Sequence, residues 1–458
     1  MRKGGKMKNG RIILKAGLDL RSPLLIGNGK GNSCDRDILL DADGNAFIPA
    51  TSFLGVISRK FEATTARKFL GQETDQRNQP VNQSFLICDD LMPVEQSTAC
   101  SIRDGIRINN ATCLVEKGAK FDFQVVEPGL CFALNMEFVV KSQQRYDEAM
   151  QILANCLAVL NKPLYIGGKT SSGFGCLIAR EPEVYQYDFD MKSDLAAYLL
   201  RKPTKNIAAS TKLEDASSPE FSITADFRIP QSLIVRSYPK DAFGSDAAHI
   251  QSAHGPVLPG TSLRGALRAR AERVLGILWP NGKADIGDFI ASIFGFASTS
   301  GNHFSIPSSL RISETKIESV GSEVQNRIRI DRFTGGTIEG AKFDSMPVFP
   351  EDKNASNLRA LNLSLADPLP SQKAMLLLLL KDLYTGDLPV GGEKGIGRGI
   401  LEGVRATIFD ENSSYSFEQF GQTDIPEVYR EYLSALKENK DKVEIQKRLA
   451  VFKQKGAK

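Results

Sequence analysis

The sequence predicts an α+β fold in which the same order of strands and helices occurs twice along the chain. Three motifs that recur in one order carry this prediction. They are PATSFLG from Pro49 matching PGTSLRG from Pro259, the run Ile106–Asp122 matching Ile328–Asp344, and GGKTSSGFG from Gly167 matching GGEKGIGRG from Gly391. The second pair aligns without a gap and ends in the same five residues, GAKFD. Ordered recurrence of this kind is the signature of a duplicated domain.

The first half of the chain reads as strand, helix, two strands, helix and strand. Alternating apolar residues predict strands, apolar residues at helical spacing predict helices, and Ser or Thr before such a helix caps it. The predicted elements are a strand at 11–20, a helix from Thr51 or Ser52 to Phe69, a strand at 103–109, a hairpin turned at Lys117 and Gly118, a strand at 131–140, a helix at 144–160 and a strand at 176–179.

The second half repeats this order. Its predicted elements are a strand at 221–229, a helix from Thr261 or Ser262 to Leu278, a hairpin around Gly335, a helix from Ser371 to Tyr384 and a strand at 399–408. Strand, helix, two strands, helix, strand is the order of the split ferredoxin-like fold. We therefore expect two tandem ferredoxin-like domains, each with a β-hairpin.

The domain boundaries follow from composition. Residues 202–220 are polar and rich in Ser, Thr and Ala, which is typical of a linker. We expect a first domain at 1–201, a second at 221–410 and a basic helical tail at 411–458, read as an amphipathic helix followed by a frayed end. A chain of 458 residues with 41% hydrophobic residues has enough apolar material for two cores.

Charge and cysteine content exclude few partners. The net charge of +4 neither requires nor excludes a nucleic acid, so any such site must come from local clusters of Lys and Arg. The seven cysteines form no CxxC pair, which favours reduced thiols over zinc ligands. No apolar run approaches the ~18 residues of a membrane helix, and the N-terminus lacks a signal peptide core, so we expect a cytoplasmic protein without a membrane partner.

The stretches 167–175 and 391–399, called here the first and second glycine loops, raise the question of nucleotide binding. The first contains Gly-Lys-Thr, the end of a P-loop, but Pro163 occupies the position of the first P-loop glycine and the second loop lacks Gly-Lys-Thr. An ATPase is therefore not predicted. The alternatives are a tight connector with glycines at positive φ or a phosphate-binding loop.

Because the loop is duplicated beside basic helices, we favour binding of a nucleic-acid backbone. The predicted contacts from the two loops are Gly167, Gly168, Lys169, Thr170, Gly391, Gly392, Lys394 and Arg398.

Together these motifs resemble the RAMP superfamily, and within it the backbone subunits of type III CRISPR effector complexes. The resemblance is carried by LPGTSLRGALRARAERVLG from Leu258, RIRIDRFTGGTIEGAKFD from Arg327 and LPVGGEKGIGRGILEG from Leu388. The first half is more diverged, since it has Ala50 where the family has glycine and no TGG in its hairpin. A tandem fusion of two such subunits resembles type III-D-like systems most.

The resemblance implies an RRM-like palm with a β-hairpin thumb in each domain. It implies as partners a guide CRISPR RNA, a complementary single-stranded target RNA and other CRISPR effector subunits. Arg59, Lys60, Arg264, Arg268 and Arg270 lie on or near the predicted first helices, where a positive dipole and Arg or Lys side chains both favour phosphate. For any single one of them a solvated helix face is as good an interpretation.

The second hairpin offers apolar side chains that suit separation of stacked bases, namely Ile338, Phe343 and Met346. For Phe343 and its counterpart Phe121 the alternating pattern favours core positions instead. The assignment of a thumb therefore depends on the resemblance.

In this family, one aspartate between the first strand and first helix is required for cleavage of target RNA. The resemblance places Asp35 there in the first half, with Asp37 as the second choice among four loop aspartates that also include Asp41 and Asp43. In the second half it places Asp246 there, with Asp241 as the second choice.

Such a carboxylate can orient or deprotonate the 2′-hydroxyl, or hold a hydrated Mg²⁺ or another divalent cation. We therefore predict a metal-dependent endoribonuclease with Asp35 and Asp246 as catalytic and metal-binding residues. Either route leaves a 2′,3′-cyclic phosphate on the upstream product.

Two alternatives remain open. One is a guide-binding scaffold whose aspartates are inactive. The other is a metal-independent endoribonuclease that processes guide precursors, with His254 as general base and His249 nearby. The duplicated motifs and the TGG hairpin favour the target-cleaving subunit over the processing enzyme.

Overall fold

The chain is represented by a computed structural model. The structure describes residues 7–29, 34–61, 65–66, 70–71, 84–95, 99–109, 112, 114–208, 220–238, 245–297, 304–411, 413–418 and 427–455. Asp241 and most of the predicted linker lie outside these residues.

The chain divides into two compact units. Unit 1 comprises residues 1–102, 123–170 and 174–217, and unit 2 comprises residues 103–122, 171–173 and 218–458. The division differs from the predicted domain boundaries because the end of the first hairpin and three residues of the first glycine loop belong to unit 2. Within unit 2, Arg103 is buried and forms an ion pair with Glu314.

Unit 1 is built on a five-stranded antiparallel sheet with strand order β2-β5-β1-β7-β6. The first elements of the chain are β1 Gly10–Leu20, α1 Ala50–Ser58, β2 Leu86–Cys88, β3 Cys100–Ile108, β4 Val115–Val126, β5 Cys131–Val140, α2 Gln143–Leu160, β6 Leu164–Tyr165, β7 Cys176–Asp188 and α3 Lys192–Leu199. Strands β3 and β4 form the first hairpin. Alternate apolar residues of β1, such as Ile12 and Leu14, are buried, as its sequence pattern predicts.

Unit 2 contains the corresponding sheet with strand order β15-β21-β8-β22-β23. Its first elements are β8 Glu220–Arg228, β9 Arg236–Ser237, β10 Ala247–His249, β11 Gln251–Ser252, β12 Gly255–Leu258, α4 Gly260–Leu278, α5 Lys283–Phe294, β13 Phe296–Ala297, β14 Ser305–Ile306, β15 Leu310–Ile312, β16 Thr315–Lys316 and β17 Val320–Ser322. They are followed by β18 Gln325–Ile330, β19 Thr337–Met346, β20 Val348–Pro350, β21 Leu358–Ala366, α6 Pro370–Tyr384, β22 Glu402–Asp410, β23 Ser413–Phe417, α7 Glu427–Lys437 and α8 Lys442–Lys455.

The two sheets share a topology, which confirms the tandem α+β prediction. In each unit the first long strand is central, flanked by the strand before the second long helix and by the strand after the glycine loop. Strands β1, β5 and β7 therefore correspond to β8, β21 and β22. This is the arrangement expected of a ferredoxin-like domain.

The predicted helix caps at Thr51, Ser52, Thr261 and Ser262 are wrong. Both helices begin one residue after a proline, and Pro49 and Pro259 occupy the N-cap positions. The Thr and Ser residues therefore lie in the first turn. At α1 the exposed N–H of Ala50 is satisfied by the carboxylate of Asp90, 2.7 Å away, so no side-chain cap from this segment is needed.

The two predicted hairpin turns have different outcomes. The turn around Gly335 is confirmed, because Asp331 accepts hydrogen bonds from the N–H groups of Phe333 and Thr334 and closes it. The turn at Lys117 and Gly118 is wrong: these residues lie within β4, and the N–H of Asn109, just after β3, already donates to the carbonyl of Leu114. Gly118 has a positive φ of 74°. A glycine is typical of a turn in a sequence, but here it marks an irregularity within β4.

The C-terminal segment is more than the predicted helical tail. Strand β23 pairs with β22 and extends the sheet of unit 2. Tyr429 and Leu436 of α7 and Ile445 and Leu449 of α8 are buried in the core of that unit. The segment is thus an integral part of unit 2.

Candidate nucleic-acid interface

The loop aspartate of the second repeat lies at the base of the second hairpin. Asp246 immediately precedes β10 and is exposed. Its backbone N–H donates to Oδ1 of Asp344 at 2.6 Å, and the backbone N–H of Asp344 donates to Oδ2 of Asp246 at 3.0 Å. Two carboxylates 98 residues apart in sequence are thereby held side by side.

A small sheet determines this register. Strand β10 runs parallel to β19, with Ala247 opposite Ser345, and β18 pairs antiparallel with β19, with Asn326 opposite Asp344. Residues opposite one another in adjacent strands share a face of the sheet. Asn326 and Asp344 therefore form a polar row that Asp246 extends at the end of β10.

The first repeat places Asp35 at the corresponding position. Asp35 is exposed, and the carbonyl of Arg36, the next residue, accepts from the N–H of Gln124 at 2.9 Å. Gln124 also accepts from the N–H of Ile38 through its side-chain Oε1 at 3.3 Å. Gln124 is the repeat counterpart of Met346, which pairs with Ala248, two residues after Asp246. Ile38 pairs with Gly27 as His249 pairs with Arg236. Gly27 and Arg236 correspond, because each lies two residues after the carbonyl that accepts from the glycine loop, Leu25 for Gly168 and Ile234 for Gly392. Asp35 and Asp246, three residues before Ile38 and His249, therefore occupy equivalent positions.

The other aspartates of the first loop have structural contacts. Asp37 accepts hydrogen bonds from the backbone N–H of Cys34 at 3.2 Å and from its thiol at 3.0 Å. Asp41 accepts from the N–H groups of Asp43 and Asn45, which closes a short turn and lowers the pKa of Asp41. Asp43 is exposed at this turn. Asp35 is therefore the more exposed of the two candidate aspartates, and its catalytic role stays a prediction.

The two glycine loops have the same backbone conformation. Gly167, Gly173 and Gly175 have φ values of 84°, 84° and 70°, and their counterparts Gly391, Gly397 and Gly399 have 79°, 86° and 82°. Between them, Lys169 and Glu393 are both left-handed with φ of 57°. Each is followed by a short 3₁₀ turn, Thr170–Ser172 and Lys394–Ile396.

These glycines are required by close packing. A Cβ on Gly175 or Gly399 would lie 1.9 Å from the carbonyl oxygen of Ile166 or Val390. The backbone N–H groups of Gly168 and Gly392 each donate 2.7 Å bonds to a neighbouring carbonyl within the protein. The connector interpretation therefore explains the glycines, while contacts of the loop side chains with RNA stay a prediction.

In the second repeat, a buried carboxylate gathers three arginines. Glu393 forms ion pairs with Arg236 at 3.0 Å, Arg327 at 2.9 Å and Arg398 at 2.8 Å, a group with a net formal charge of +2. Burial alone would raise the pKa of Glu393, but the hydrogen bond from Arg236 and the neighbouring guanidinium charges outweigh it and lower that pKa. Arg398 also donates to Gln325 at the start of β18, so the cluster links the glycine loop to the base of the hairpin.

Arg398 is thus a structural residue, which corrects its predicted exposure to RNA. Its side chain is only 4% exposed, whereas Arg236 is 44% exposed and remains accessible to a ligand. Lys394, the next residue in the loop after Glu393, is exposed.

In the first repeat, the position of the Glu393 cluster has a contact between a lysine and an aromatic ring instead. Lys169 lies over the ring of Phe123 with its Nζ 4.4 Å from the centroid, and Phe123 packs against Phe174. Burial, helped by the charge of Arg36, lowers the pKa of Lys169 to about 8. Phe174 is the counterpart of Arg398, and Lys169 that of Glu393.

The predicted basic residues of the first helices differ in their availability. Arg264 donates to the backbone carbonyls of Ser171 and Leu310 at 3.2 Å and to that of Phe294, and burial lowers its pKa to about 10. Its guanidinium is thus used within the protein, which corrects its predicted role as a phosphate contact. Phe294 is the final residue of α5, so Arg264 bonds to a carbonyl at the C-terminal end of that helix.

The remaining predicted basic residues keep partial exposure. Arg268 pairs with Glu272 at 3.1 Å and is 41% exposed, and Arg270 pairs with Asp382 at 2.6 Å. Arg59 and Lys60 are exposed, but they follow the C-terminal end of α1 rather than its first turn. The helix dipole therefore does not favour phosphate at these two residues, because its positive end lies at the other terminus.

Both hairpins expose apolar side chains. Exposed residues include Ile106 and Ile108 of β3, their counterparts Ile328 and Ile330 of β18, and Phe343 of β19, which is 43% exposed. The prediction that Phe343 is a core residue is wrong, and Phe121 is partly buried over Gly105 rather than in the core. The error arises because both faces of this hairpin carry apolar residues, so alternation does not identify a buried face.

His249, which lies near the proposed general base His254 in the processing alternative, is not available for proton transfer. Its Nδ1 accepts from the N–H of Val235 at 3.2 Å, its Nε2 bonds to the carbonyl of Val257 at 2.9 Å, and burial lowers its pKa to about 4. This ring is a neutral structural group. His254 lies in the turn between β11 and β12 and is exposed.

Several residues of this surface were not found from sequence. Asp344, Glu393, Arg236 and Arg327 received no role, although GAKFD, which ends in Asp344, is identical in both repeats. That identity was the one available signal for Asp344.

The described residues contain neither a membrane-spanning helix nor a larger cluster of metal ligands. No helix there combines the length and apolar character needed to cross a membrane. Over the same ranges, no group of three or more His, Cys, Asp or Glu side chains is arranged to hold a metal ion.

Comparison with known proteins identifies the family. The model of the RAMP superfamily matches twice, at residues 18–178 and 243–402, which covers both repeats. Among solved structures, a chain from a cryo-EM structure of type III-B Cmr-beta in the apo state is 12% identical, with a TM-score of 0.29, over 37% of this chain and 96% of that one. That likeness is too weak to carry an argument, and no curated protein matches. The family match alone decides the assignment: the chain belongs to the RAMP superfamily and contains two RAMP domains.

Proposed function

We propose that this protein is a tandem backbone subunit of a type III CRISPR effector that binds guide RNA and cleaves the paired target RNA at two sites. The observation that carries this proposal is the equivalent placement of Asp35 and Asp246. Each is exposed, and each directly precedes a segment that pairs with the outgoing strand of a hairpin. A duplicated carboxylate beside a duplicated hairpin suits two cuts at a fixed spacing.

Each aspartate acts on the 2′-hydroxyl of the nucleotide next to the hairpin. It accepts or orients the hydroxyl proton while that oxygen attacks the adjacent phosphorus in line, and the 5′-oxygen leaves. The products are an upstream fragment with a 2′,3′-cyclic phosphate and a downstream fragment with a 5′-hydroxyl. Exposed apolar residues of the hairpin, Ile328 and Ile330, suit the unstacking that frees this nucleotide from its helix.

A divalent cation fits the donor set of the second site. Mg²⁺ is commonly held by one or two carboxylates together with water and substrate phosphates, and Asp246 supplies one exposed carboxylate. When bound there, it would withdraw charge from the phosphodiester. The role of the chain itself is to hold the carboxylate of Asp246 in place.

Guide binding is proposed for the surface formed by the exposed basic side chains. Lys394 and Arg236 of unit 2 are the best placed of these, since they are exposed or half-exposed and adjoin the positively charged Glu393 cluster. In unit 1, Lys169, Arg59 and Lys60 are the corresponding candidates. Contacts of this kind favour the phosphate backbone without reading the base sequence.

The direct test uses the assembled effector with guide RNA and an end-labelled target. Asp35→Ala and Asp246→Ala should each remove one cut, and the double variant both, with losses of about 10² to 10⁴ in rate if the carboxylate is a general base. Asp43→Ala, in the same exposed loop as Asp35, is the matched control and should leave both cuts unchanged. Target affinity should stay the same in all four variants.

The outcomes separate the candidate functions. An unchanged product ladder in the double variant, with target still bound, would favour the non-catalytic scaffold. Cutting of precursor repeat RNA by the isolated chain in EDTA, lost in His254→Ala, would favour the processing enzyme. A terminal phosphate assay on the upstream product tests the cyclic phosphate directly.

A further inference from the structure

We propose that Asp344 is the positioning residue of the second cleavage site, holding Asp246 at a fixed place against the hairpin. This inference rests on the proposed function, because it concerns how the second site is aligned. It adds a residue outside the aspartate loop and a physical link between that loop and the hairpin.

The first step is the reciprocity of the contact. Asp344 accepts the backbone N–H of Asp246, and Asp246 accepts the backbone N–H of Asp344. A carboxylate that receives an N–H donor at 2.6 Å makes a charge-assisted bond, which is about twice as strong as a neutral one. Main chain and side chain of Asp246 are therefore both fixed by one partner.

The second step is the rigidity of that partner. Asp344 lies inside β19, where Gln325 pairs with Ser345 and Asn326 pairs with Asp344 on one side. On the other side Ala247 pairs with Ser345. Asp246, by contrast, lies just outside β10, so its place depends on the strand it contacts.

The third step is the division of roles between the two carboxylates. Each carboxylate accepts one amide of the other, but Asp246 is exposed whereas Asp344 is partly buried. Asp246 is therefore the group available to a substrate, and Asp344 acts through it. Misplacement of a reacting group by about 1 Å is enough to lower a rate ~10²-fold.

In the first repeat, the side chain of a strand residue also holds the aspartate loop. There Gln124 secures the aspartate loop, accepting from the N–H of Ile38 through its side chain and donating its own N–H to the carbonyl of Arg36. Its counterpart in the second repeat is Met346, whose side chain offers no comparable amide oxygen. The first repeat also has an aspartate, Asp122, at the counterpart position of Asp344.

The test compares Asp344→Ala with Asp344→Asn in the assembled effector, measuring both cuts in single-turnover experiments. The alanine variant should slow the second cut by about tenfold or more while the first cut and the target affinity stay unchanged. The asparagine variant retains an oxygen that accepts the Asp246 amide and should stay within about threefold of the wild type. Asn326→Ala, at the cross-strand neighbour, is the matched surface control and should have no effect.

Two results would overturn the proposal. If Asp344→Asn is as slow as Asp344→Ala, the negative charge of Asp344 itself takes part in the reaction and the role is not positioning. If Asp344→Ala leaves the second cut unchanged, the contact has no role in alignment.

A second measurement does not depend on cleavage. Hydrogen exchange of the peptide that includes 245–250 should speed up by about tenfold at the Asp246 amide in Asp344→Ala, and less in Asp344→Asn. Unchanged exchange would overturn the positioning contact. If the wild type makes no second cut and exchange still responds in this way, the cleavage function fails while the positioning contact stands.

Discussion

The first and second glycine loops have one backbone and two different sets of side chains. Both hold three glycines and one non-glycine residue at matching positive φ values. At the shared left-handed position the first has Lys169 over an aromatic ring, and the second has Glu393 among three arginines. Packing of the backbone thus tolerates no change in the glycines, whereas the side chains beside the hairpin were free to diverge.

The difference also changes what each loop offers to RNA. The second loop encloses an ion-pair network of net positive charge and links it to β18 through Gln325. The first loop presents one partly buried lysine whose pKa is lowered to about 8. We therefore expect the second repeat to depend more strongly on buried charge for its stability.

The largest expected effect is at Glu393. Glu393→Gln leaves three guanidinium groups around a neutral side chain and should cost about 3 kcal/mol of unfolding free energy, since Glu393 and Arg398 are both buried. Trp279 is the only tryptophan and lies buried in unit 2, so its fluorescence during denaturation reports on that unit. Lys169→Ala is the matched change in the first repeat and should not shift this transition.

The comparison of the wild type with Glu393→Gln also predicts a pH dependence of the unfolding free energy. Because the pKa of Glu393 is lowered in the folded protein, its contribution is present above its unfolded value of 4.5 and is lost as pH falls through the folded pKa. The stability gap between wild type and Glu393→Gln should therefore narrow under acid conditions. A gap that stays constant down to about pH 3 would contradict the ion-pair explanation.

A smaller loss of unfolding free energy, equal in both repeats, is expected at two glycines. Gly175→Ala and Gly399→Ala each place a Cβ 1.9 Å from a carbonyl oxygen at positive φ and should cost about 2 kcal/mol or more. Gly118 and Gly340, at φ of 74° and 71° with open space around them, are matched controls. Their alanine variants should cost only about 1 kcal/mol of unfolding free energy.

Circular dichroism during chemical denaturation measures these four variants. Equal costs at Gly118 and Gly175 would show that left-handed strain alone, without the close contact, accounts for the glycine requirement.

The smallest expected effect concerns Lys169 and RNA. Its ammonium group attracts phosphate only when protonated, and with a pKa of about 8 it loses this charge in mildly alkaline solution. The affinity advantage of the wild type over Lys169→Met for single-stranded RNA should thus be present at pH 7 and shrink by pH 9.5. Fluorescence anisotropy at fixed salt measures both; an advantage that stays constant over this range would exclude Lys169 as a phosphate contact.

Local patterns predicted the main elements of both repeats well. Strands β1, β5 and β8 and helices α2, α4 and α6 match their predicted ranges closely, because each has a clear apolar period. The caps were misassigned because Ser and Thr are equally common within a first turn, and Pro49 and Pro259 preceded them. Strand β23 and the core packing of α7 and α8 escaped prediction because short segments gain their structure from the sheet and core they join.

Candidate site residues divide in the same way. Asp35 and Asp246 were found through motif alignment, and the structure places them at equivalent exposed positions. Arg264 and Arg398 were predicted to contact phosphate, but they bind carbonyl and carboxylate groups within the protein. The sequence near a motif does not distinguish an exposed basic residue from one that forms such internal contacts.

By itself the sequence determined the duplication, the order of elements, the glycine positions and the loop aspartates. These are repeated linear patterns, so comparing one half with the other reveals them. Only the tertiary structure decided that Asp344 holds Asp246 and that Glu393 gathers Arg236 and Arg327. Asp246 and Asp344 are 98 positions apart in sequence, and Arg236 and Glu393 are 157 positions apart. Strand register and chain folding bring such partners together, and no local pattern predicts them.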